Sequence, residues 1–321
     1  MTAVLSIAAF AAVGAQPLSV TPVKTVPGAR ILALAPGHVG SRFVASMENR
    51  AIRLYNASDR MIIREFQGHP QPAYAVACSD DGKRIASGDE SGRIFVWHVA
   101  SGGKAIEIRP HIRGVQALCF SKDGKRLLST GKDDTVKVID IASGKVLKNI
   151  LGKGANLYSA KYLPGSEQWG VGTLGSGAKV YGGAQEVRFM GHADNSVFDV
   201  DFHPPSKRAL TAGRDATAMV WDLKTGKRIQ TLRGHGDWVV HASFTPNGRF
   251  AATSSSDRTV KVWDMKSFAC VKTLDNESAV GSPLCVTPDG QYLITASIDD
   301  SLQVNFLSPA QGASVGRRRK P

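Results

Sequence analysis

Cysteine is scarce in this chain, with only Cys78, Cys119, Cys270 and Cys285 among 321 residues. Their separations match neither a close metal-ligand pattern nor a disulfide framework. Cys119 and Cys285 hold equivalent places in a repeat and read as small core residues. Long apolar runs are missing too: the best, Ala3 to Val13, is too short to span a bilayer as a helix. No interval between turns offers a ten-residue amphipathic helix. A phosphate-cradling glycine loop, a metal-ligand cluster and a solitary acid–base pair are also absent, so the expectation is a noncatalytic protein with no metal and no cofactor. Acidic residues are in deficit, 27 against 40 basic ones, giving a formal charge of +13. That excess permits an anionic partner without establishing one.

What the chain has in quantity is repetition. One position, followed along the sequence, reads Tyr55, Trp97, Ile139, Tyr181, Trp221, Trp263 and Asn305, at intervals of 42, 42, 42, 40, 42 and 42 residues. Apolar residues running into a turn supply a second ruler: Leu34-Ala35-Pro36, Cys78-Ser79-Asp80, Phe120-Ser121-Lys122, Tyr162-Leu163-Pro164, Phe202-His203-Pro204, Phe244-Thr245-Pro246 and Val286-Thr287-Pro288. From this marker to the first is 19 residues in six copies and 21 in the first copy. Seven units of this period, with 33 glycines to serve frequent turns, imply an all-β, seven-bladed β-propeller of four-stranded antiparallel blades. In the sixth copy the strands read as Val239 to Phe244, Phe250 to Ser254, Thr259 to Trp263 and Phe268 to Leu274. The last copy stops after three strands, while Val23 to Gly28 resembles the outer strand Arg228 to Gly234. An N-terminal strand is therefore expected to complete blade 7 and close the ring. Residues 16–309 form one domain, since a blade cannot bury its faces alone.

Two copies carry the words Gly191-His192 … Trp221-Asp222 and Gly234-His235 … Trp263-Asp264. With the period, these make nearly the whole chain resemble the WD-repeat β-propeller family, and its Asp-Gly-Lys-Arg turns are similar to those of bacterial WD-repeat proteins. The resemblance implies a structural hydrogen-bonded tetrad, His192, Thr211, Asp215 and Trp221 in blade 5 and His235, Thr253, Asp257 and Trp263 in blade 6. Trp donates, Asp accepts, and His and Thr bridge them. Recurrence from blade to blade argues against reading the set as a hydrolytic nucleophile. Other copies are eroded. Blade 2 keeps His69, Ser87 and Trp97 with Ser91 in the Asp place, and blade 3 keeps His111, Ser129 and Asp133 with Ile139 for Trp. Blade 7 has Thr295, Asp299 and Asn305 without a His, and blades 1 and 4 have Asn49 and Gly175 at the Asp position.

Successive turns of a meander alternate between the two faces of the disc. One face collects Lys83, Arg84, Lys125, Arg126, Lys207, Arg208 and Arg249, diluted by Asp80, Asp81, Asp123 and Asp289. These read first as good solvated turns, with an anion-binding face as the alternative. The other face carries Glu48, Glu90, Asp133, Asp134, Asp215, Asp257, Asp299 and Asp300. There, four residues before the strand-end marker, stand Tyr74, Gln116, Tyr158, Phe198, Val240 and Ser282, with Trp238 two residues earlier in blade 6. The resemblance implies that these places, and the residue before the tetrad Asp (Glu90, Lys132, Arg214, Ser256), line a partner-binding mouth. Aromatics at the start of an inner strand also suit simple packing of the channel. The functional expectation is a monomeric, noncatalytic scaffold binding a protein or peptide partner through Tyr74, Tyr158, Phe198, Trp238, Lys132, Arg214 and Glu90. The alternative is a module for nucleic acid, anionic lipid or another acidic polymer on the basic face.

The ends differ from the middle. Ala3 to Val13 has the length of an export-signal core, and Val13-Gly14-Ala15 before Gln16-Pro17 is a small-x-small cleavage site, although no basic residue precedes it. Residues 1–15 read as a signal for export to the periplasm or medium, with a frayed or mis-started N-terminus on a cytoplasmic protein as the alternative. Residues 310–321, with Arg317-Arg318-Arg319-Lys320, read as a basic disordered tail. If the signal operates, protein recovered from its host begins at or near Gln16. Terminal sequencing that finds Met1 or Thr2 in the dominant species rejects export.

Overall fold

A computed structural model describes residues 18–27, 30–152, 156–182, 187–275, 283–296 and 301–309. They form seven sheets of four antiparallel strands. The segments read as export signal and basic tail, together with Ser282, Asp299 and Asp300, lie outside the described residues. Among those described there is no α-helix, only a 3-10 turn at Pro204–Ser206 after the inner strand of blade 5. The inner strands, Ile31–Pro36, Ala73–Cys78, Val115–Phe120, Leu157–Tyr162, Val197–His203, Val239–Phe244 and Leu284–Val286, surround the axis. Each touches the next, and the last touches the first.

Several boundaries differ from the sequence expectation: the second and third strands of blade 6 run one residue further, to Ser255 and Asp264, and the N-terminal strand is Leu18–Pro27 rather than Val23 to Gly28. The inner strand of blade 1 ends at Pro36, which pairs with Phe43 as Cys78 pairs with Ile85. Its marker is therefore Pro36 rather than Leu34, and the 19-residue spacing holds in all seven copies. In blade 6 the outer strand is Cys270–Asp275. Phe268 belongs to the turn before it, with a φ of 60° that no strand residue adopts.

The apolar side chains collect at the blade–blade interfaces. Between blades 5 and 6, Leu210 and Val220 meet Phe244 and Trp263. Between blades 7 and 1, Cys285, Ile294 and Val304 meet Phe43 and Met47. The other five interfaces each hold a comparable cluster. Packing on both faces explains why the second strands are buried along almost their whole length, as in Phe250–Ser255. An isolated blade would expose both of its apolar faces, so stability is a property of the ring.

Closure comes from the chain start. Leu18–Pro27 pairs antiparallel with Ser301–Pro309, from Leu18 opposite Pro309 to Pro27 opposite Ser301, with a register shift between Val23 and Val26. Blade 7 is thus three C-terminal strands plus one N-terminal strand. Deleting residues 1–15 should leave the thermal midpoint unchanged. Deleting 1–28 strips the outer strand, bares an edge, and should lower the midpoint markedly and cause aggregation. Equal midpoints for the two truncations would refute closure by this strand.

Candidate functional site

Six inner strands share an irregularity. Their register against the second strand slips between Ile31 and Ala33, Ala73 and Ala75, Val115 and Ala117, Leu157 and Ser159, Val197 and Asp199, and Val239 and His241. The skipped residues are Leu32, Tyr74, Gln116, Tyr158, Phe198 and Val240. Tyr74, Gln116, Tyr158, Phe198 and Val240, all named from the sequence, are therefore each the extra residue of a β-bulge, which turns the side chain out of the ladder. Tyr74, Gln116, Tyr158 and Phe198 line an axial channel of about 630 Å³.

The structure brings the named rim residues together in two groups. In the first, Lys132 of blade 3 donates to both carboxylate oxygens of Glu90 in blade 2, at 2.8 and 2.9 Å, and lies 5.4 Å from the Tyr74 ring centroid. In the second, Tyr158 stands edge-on to Phe198 with centroids 5.4 Å apart, and Phe198 lies 5.7 Å from Trp238. Arg214 sits over Trp238 at 5.0 Å and pairs with Asp194 at 3.6 Å. These aromatics do more than fill the channel, since Tyr74 is 41% and Trp238 40% exposed. An exposed indole held by a neighbouring ring and a guanidinium is a preorganised anchor.

Beneath the aromatic arc, the channel wall carries a charged ladder that the sequence reading missed. Lys161 of blade 4 lies 3.3 Å from Asp201 and 3.7 Å from Asp199, both of blade 5. Asp199 also accepts from the Ser159 hydroxyl at 2.8 Å and the Ala242 N–H at 3.2 Å, and faces His241 at 3.6 Å. Asp201 accepts from the Phe244 N–H of blade 6 at 2.8 Å. Burial favours the neutral form of Asp199, but Lys161, His241 and Ser159 outweigh it and hold the carboxyl at about 2. Burial likewise opposes the charge on Lys161, and the two carboxylates overcome it and raise its pKa. The signal was present as charges at alternate positions of an otherwise apolar strand, Phe198-Asp199-Val200-Asp201-Phe202. The channel lining also includes Ala75, Ala77, Ala117, Cys119 and Cys285. Burial pushes the Cys119 thiol up to about 11 and Cys78 to about 12, so neither is a ready nucleophile.

Inside the blades the tetrads form. His192 bonds Asp215 through Nδ1 at 2.9 Å and Thr211 through Nε2 at 2.8 Å, and the Trp221 indole donates to Thr211 at 2.8 Å. His235, Asp257, Thr253 and Trp263 repeat this at 2.9, 2.8 and 2.9 Å. Only glycine fits at 213, where a Cβ would stand 2.0 Å from the His192 ring. The carboxylate also accepts from the hydroxyl two residues on, Thr217 at 2.6 Å and Thr259 at 2.7 Å, a fifth member that the Asp-x-Thr spacing marks. Thr211 and Thr253 are fully buried and bonded to tryptophan, so a substrate cannot reach them.

Blade 2 corrects the sequence expectation. Its acid is Asp89 rather than Ser91: His69 bonds Asp89 at 3.0 Å and Ser87 at 2.6 Å, and Trp97 donates to Ser87 at 2.8 Å. Asp89 sits where blade 5 has Gly213, reaching the imidazole from the strand end, and Ser91 takes the threonine role by donating to Asp89 at 2.6 Å. Blade 3 has the set without tryptophan, His111 bonding Asp133 at 2.9 Å and Ser129 at 2.8 Å. Blades 1 and 4 substitute stacked aromatic pairs, Phe43 on Tyr55 at 5.0 Å and Trp169 on Tyr181 at 4.6 Å.

On the opposite face the basic residues are partly engaged. Arg126 pairs with Glu167, Arg208 donates to the Met265 carbonyl at 2.6 Å and covers Phe268, and Arg249 covers Phe250. Arg84 is half-buried, while Lys83, Lys125 and Lys207 are exposed. The N–H groups of Lys83 and Lys125 donate to Asp81 and Asp123 in their own turns, each at 3.0 Å. Among the described residues no group of three or more His, Cys, Asp or Glu could hold a metal, and no helix is long and apolar enough to cross a membrane.

A ring of seven meanders, four of them clipped internally by His, hydroxyl and carboxylate, is a repeat propeller. Residues 60–98, 104–140, 183–222 and 226–264 match the WD domain, G-beta repeat family, and the chain belongs to the WD-repeat β-propellers. Each match joins the outer strand of one blade to the first three of the next. The matched blades 2, 3, 5 and 6 are those with a His–hydroxyl–Asp set. Propellers of this family generally bind protein partners and are generally noncatalytic. The chain is 35% identical over 63 residues to nuclear distribution protein PAC1 of Gibberella zeae, covering 17% of this chain and 14% of that protein. It is 28% identical over 53 residues to DENN domain and WD repeat-containing protein SCD1 of Arabidopsis thaliana, covering 16% of this chain and 4% of that protein. The chain therefore spans only a small part of the curated relatives it matches.

Asp257→Ala should cost about 1–3 kcal/mol, because His235, Thr259 and the Gly236 N–H lose their acceptor. Asp89→Ala should cost a similar amount and Ser91→Ala less, since Asp89 still holds His69; denaturant melts that rank Ser91→Ala above Asp89→Ala would return the acid's role to Ser91. Acid should destabilise the fold in two stages. Burial outweighs the carboxylates at His111 and His235 and lowers their pKa, so stability falls as pH drops below the unfolded histidine value of about 6.5. At Asp257, burial is outweighed by bonds from Gly236, Thr259 and His235, which hold it at about 2. Its contribution is complete above the unfolded value of about 4 and is lost as pH falls through 2. A melting temperature independent of pH between 6.5 and 2 would contradict both assignments.

Proposed function

We propose that this chain is a noncatalytic scaffold whose protein or peptide partner docks over the channel mouth, on the face that bears Tyr74, Tyr158, Phe198 and Trp238. The observation that carries this reading is the exposed Trp238 ring, in contact with both the Phe198 ring and the Arg214 guanidinium. A large rigid ring held in place before binding loses little entropy on contact, which is the property of an interface hot spot. The family's general use of propellers for protein binding points the same way.

The test compares two surfaces. A partner bound at the mouth should lose about 2 kcal/mol or more on Trp238→Ala. It should tolerate Lys125→Glu with Arg126→Glu on the opposite face. An acidic polymer bound to the basic face gives the reverse pattern, with affinity that falls steeply between low and moderate salt. Titration calorimetry of a purified partner against both variants at two salt concentrations separates the two, and indifference to Trp238→Ala with loss on charge reversal rejects the mouth.

A further inference from the structure

Two constellations at the mouth have the same chemistry. In each, a cation lies on an aromatic ring and pairs with a carboxylate of this chain: Lys132 with Tyr74 and Glu90, and Arg214 with Trp238 and Asp194. The first bridges blades 2 and 3, the second blades 5 and 6, so they stand three blades apart, nearly across the channel from each other. Between them lie Tyr158 and Phe198 of blades 4 and 5.

From this we infer that the partner is an acidic extended peptide segment lying across the mouth, with a carboxylate for each cation and an apolar side chain between them. The inference rests on the docking face proposed above and adds the partner's chemistry. Both ion pairs are roughly half exposed, Lys132 and Glu90 at 41% and 42%, Arg214 and Asp194 at 50% and 44%. Pairs this exposed contribute little to folding, so Glu90 and Asp194 act as placeholders that an incoming carboxylate displaces at small cost. The cations stay in place, each held over its ring, and Arg214 offers a planar fork suited to a carboxylate. Tyr158 and Phe198 then receive the apolar centre. The formal charge of +13 attracts an acidic segment over longer range.

The probe is a fluorescein-labelled, capped peptide, Glu-Glu-Ala-Leu-Phe-Leu-Ala-Glu-Glu, alongside a counterpart with every Glu replaced by Gln, read by fluorescence anisotropy on the full chain. The Glu peptide should bind at least tenfold tighter than the Gln peptide. Lys132→Gln and Arg214→Gln should each remove much of that preference and together abolish it, with thermal midpoints unchanged because both side chains are exposed. Trp238→Ala should weaken both peptides alike. Equal binding of the two peptides, lost on Trp238→Ala, overturns the acidic preference and leaves the docking face standing. Glu-peptide binding that ignores all three changes but fails on Lys125→Glu with Arg126→Glu overturns both. No binding of either peptide, or tighter binding of an oligo-dT probe through Lys132 and Arg214, overturns the acidic peptide as the partner.

Discussion

Everything in this molecule depends on apolar surface that neighbouring blades share. Each hydrophobic cluster joins two blades, so no blade has a core of its own and removing one contact surface exposes two. That makes the pairing of Leu18–Pro27 with Ser301–Pro309 a global constraint rather than a local one. It fixes the last blade, the last blade supports the blade 7–blade 1 cluster, and the channel exists only because the ring is closed.

Within that ring, polar groups are arranged by how much packing each blade already has. Blades 2, 5 and 6 hold complete His–hydroxyl–Asp–Trp sets, and blade 3 lacks only the tryptophan. Blades 1 and 4, without a histidine, stack aromatic pairs between the same two strands. Blade 4 is further tied to blades 5 and 6 by Lys161, Asp199 and Asp201, which run along the channel wall through carboxylate bonds to backbone N–H groups. The half of the ring that carries this ladder also carries the aromatic arc at the mouth. A rigid wall beneath Tyr158, Phe198 and Trp238 keeps those rings in one geometry, which is what a preorganised contact surface requires.

The sequence by itself determined the blade count, the order of strands and the closure, because a period near 42 with turn residues at fixed places leaves one architecture. Repeat position put Tyr74, Tyr158, Phe198, Trp238, Lys132, Arg214 and Glu90 on one face of the disc, and the resemblance to WD-repeat propellers singled them out there. What the sequence could not supply was which of these touch. Lys132 meets Tyr74 and Glu90 of the preceding blade, and Arg214 meets Trp238 of the next, across separations that only ring closure brings to contact distance. Asp89 escaped for a related reason: counting places the acid at Ser91, whereas a strand end two residues earlier aims a carboxylate at the same imidazole nitrogen. Lys161, Asp199 and Asp201 looked like scattered strand charges in one dimension. Tertiary structure decided that they are one cluster, because inner strands of adjacent blades face a common axis and a buried charge is stable there only beside its opposite.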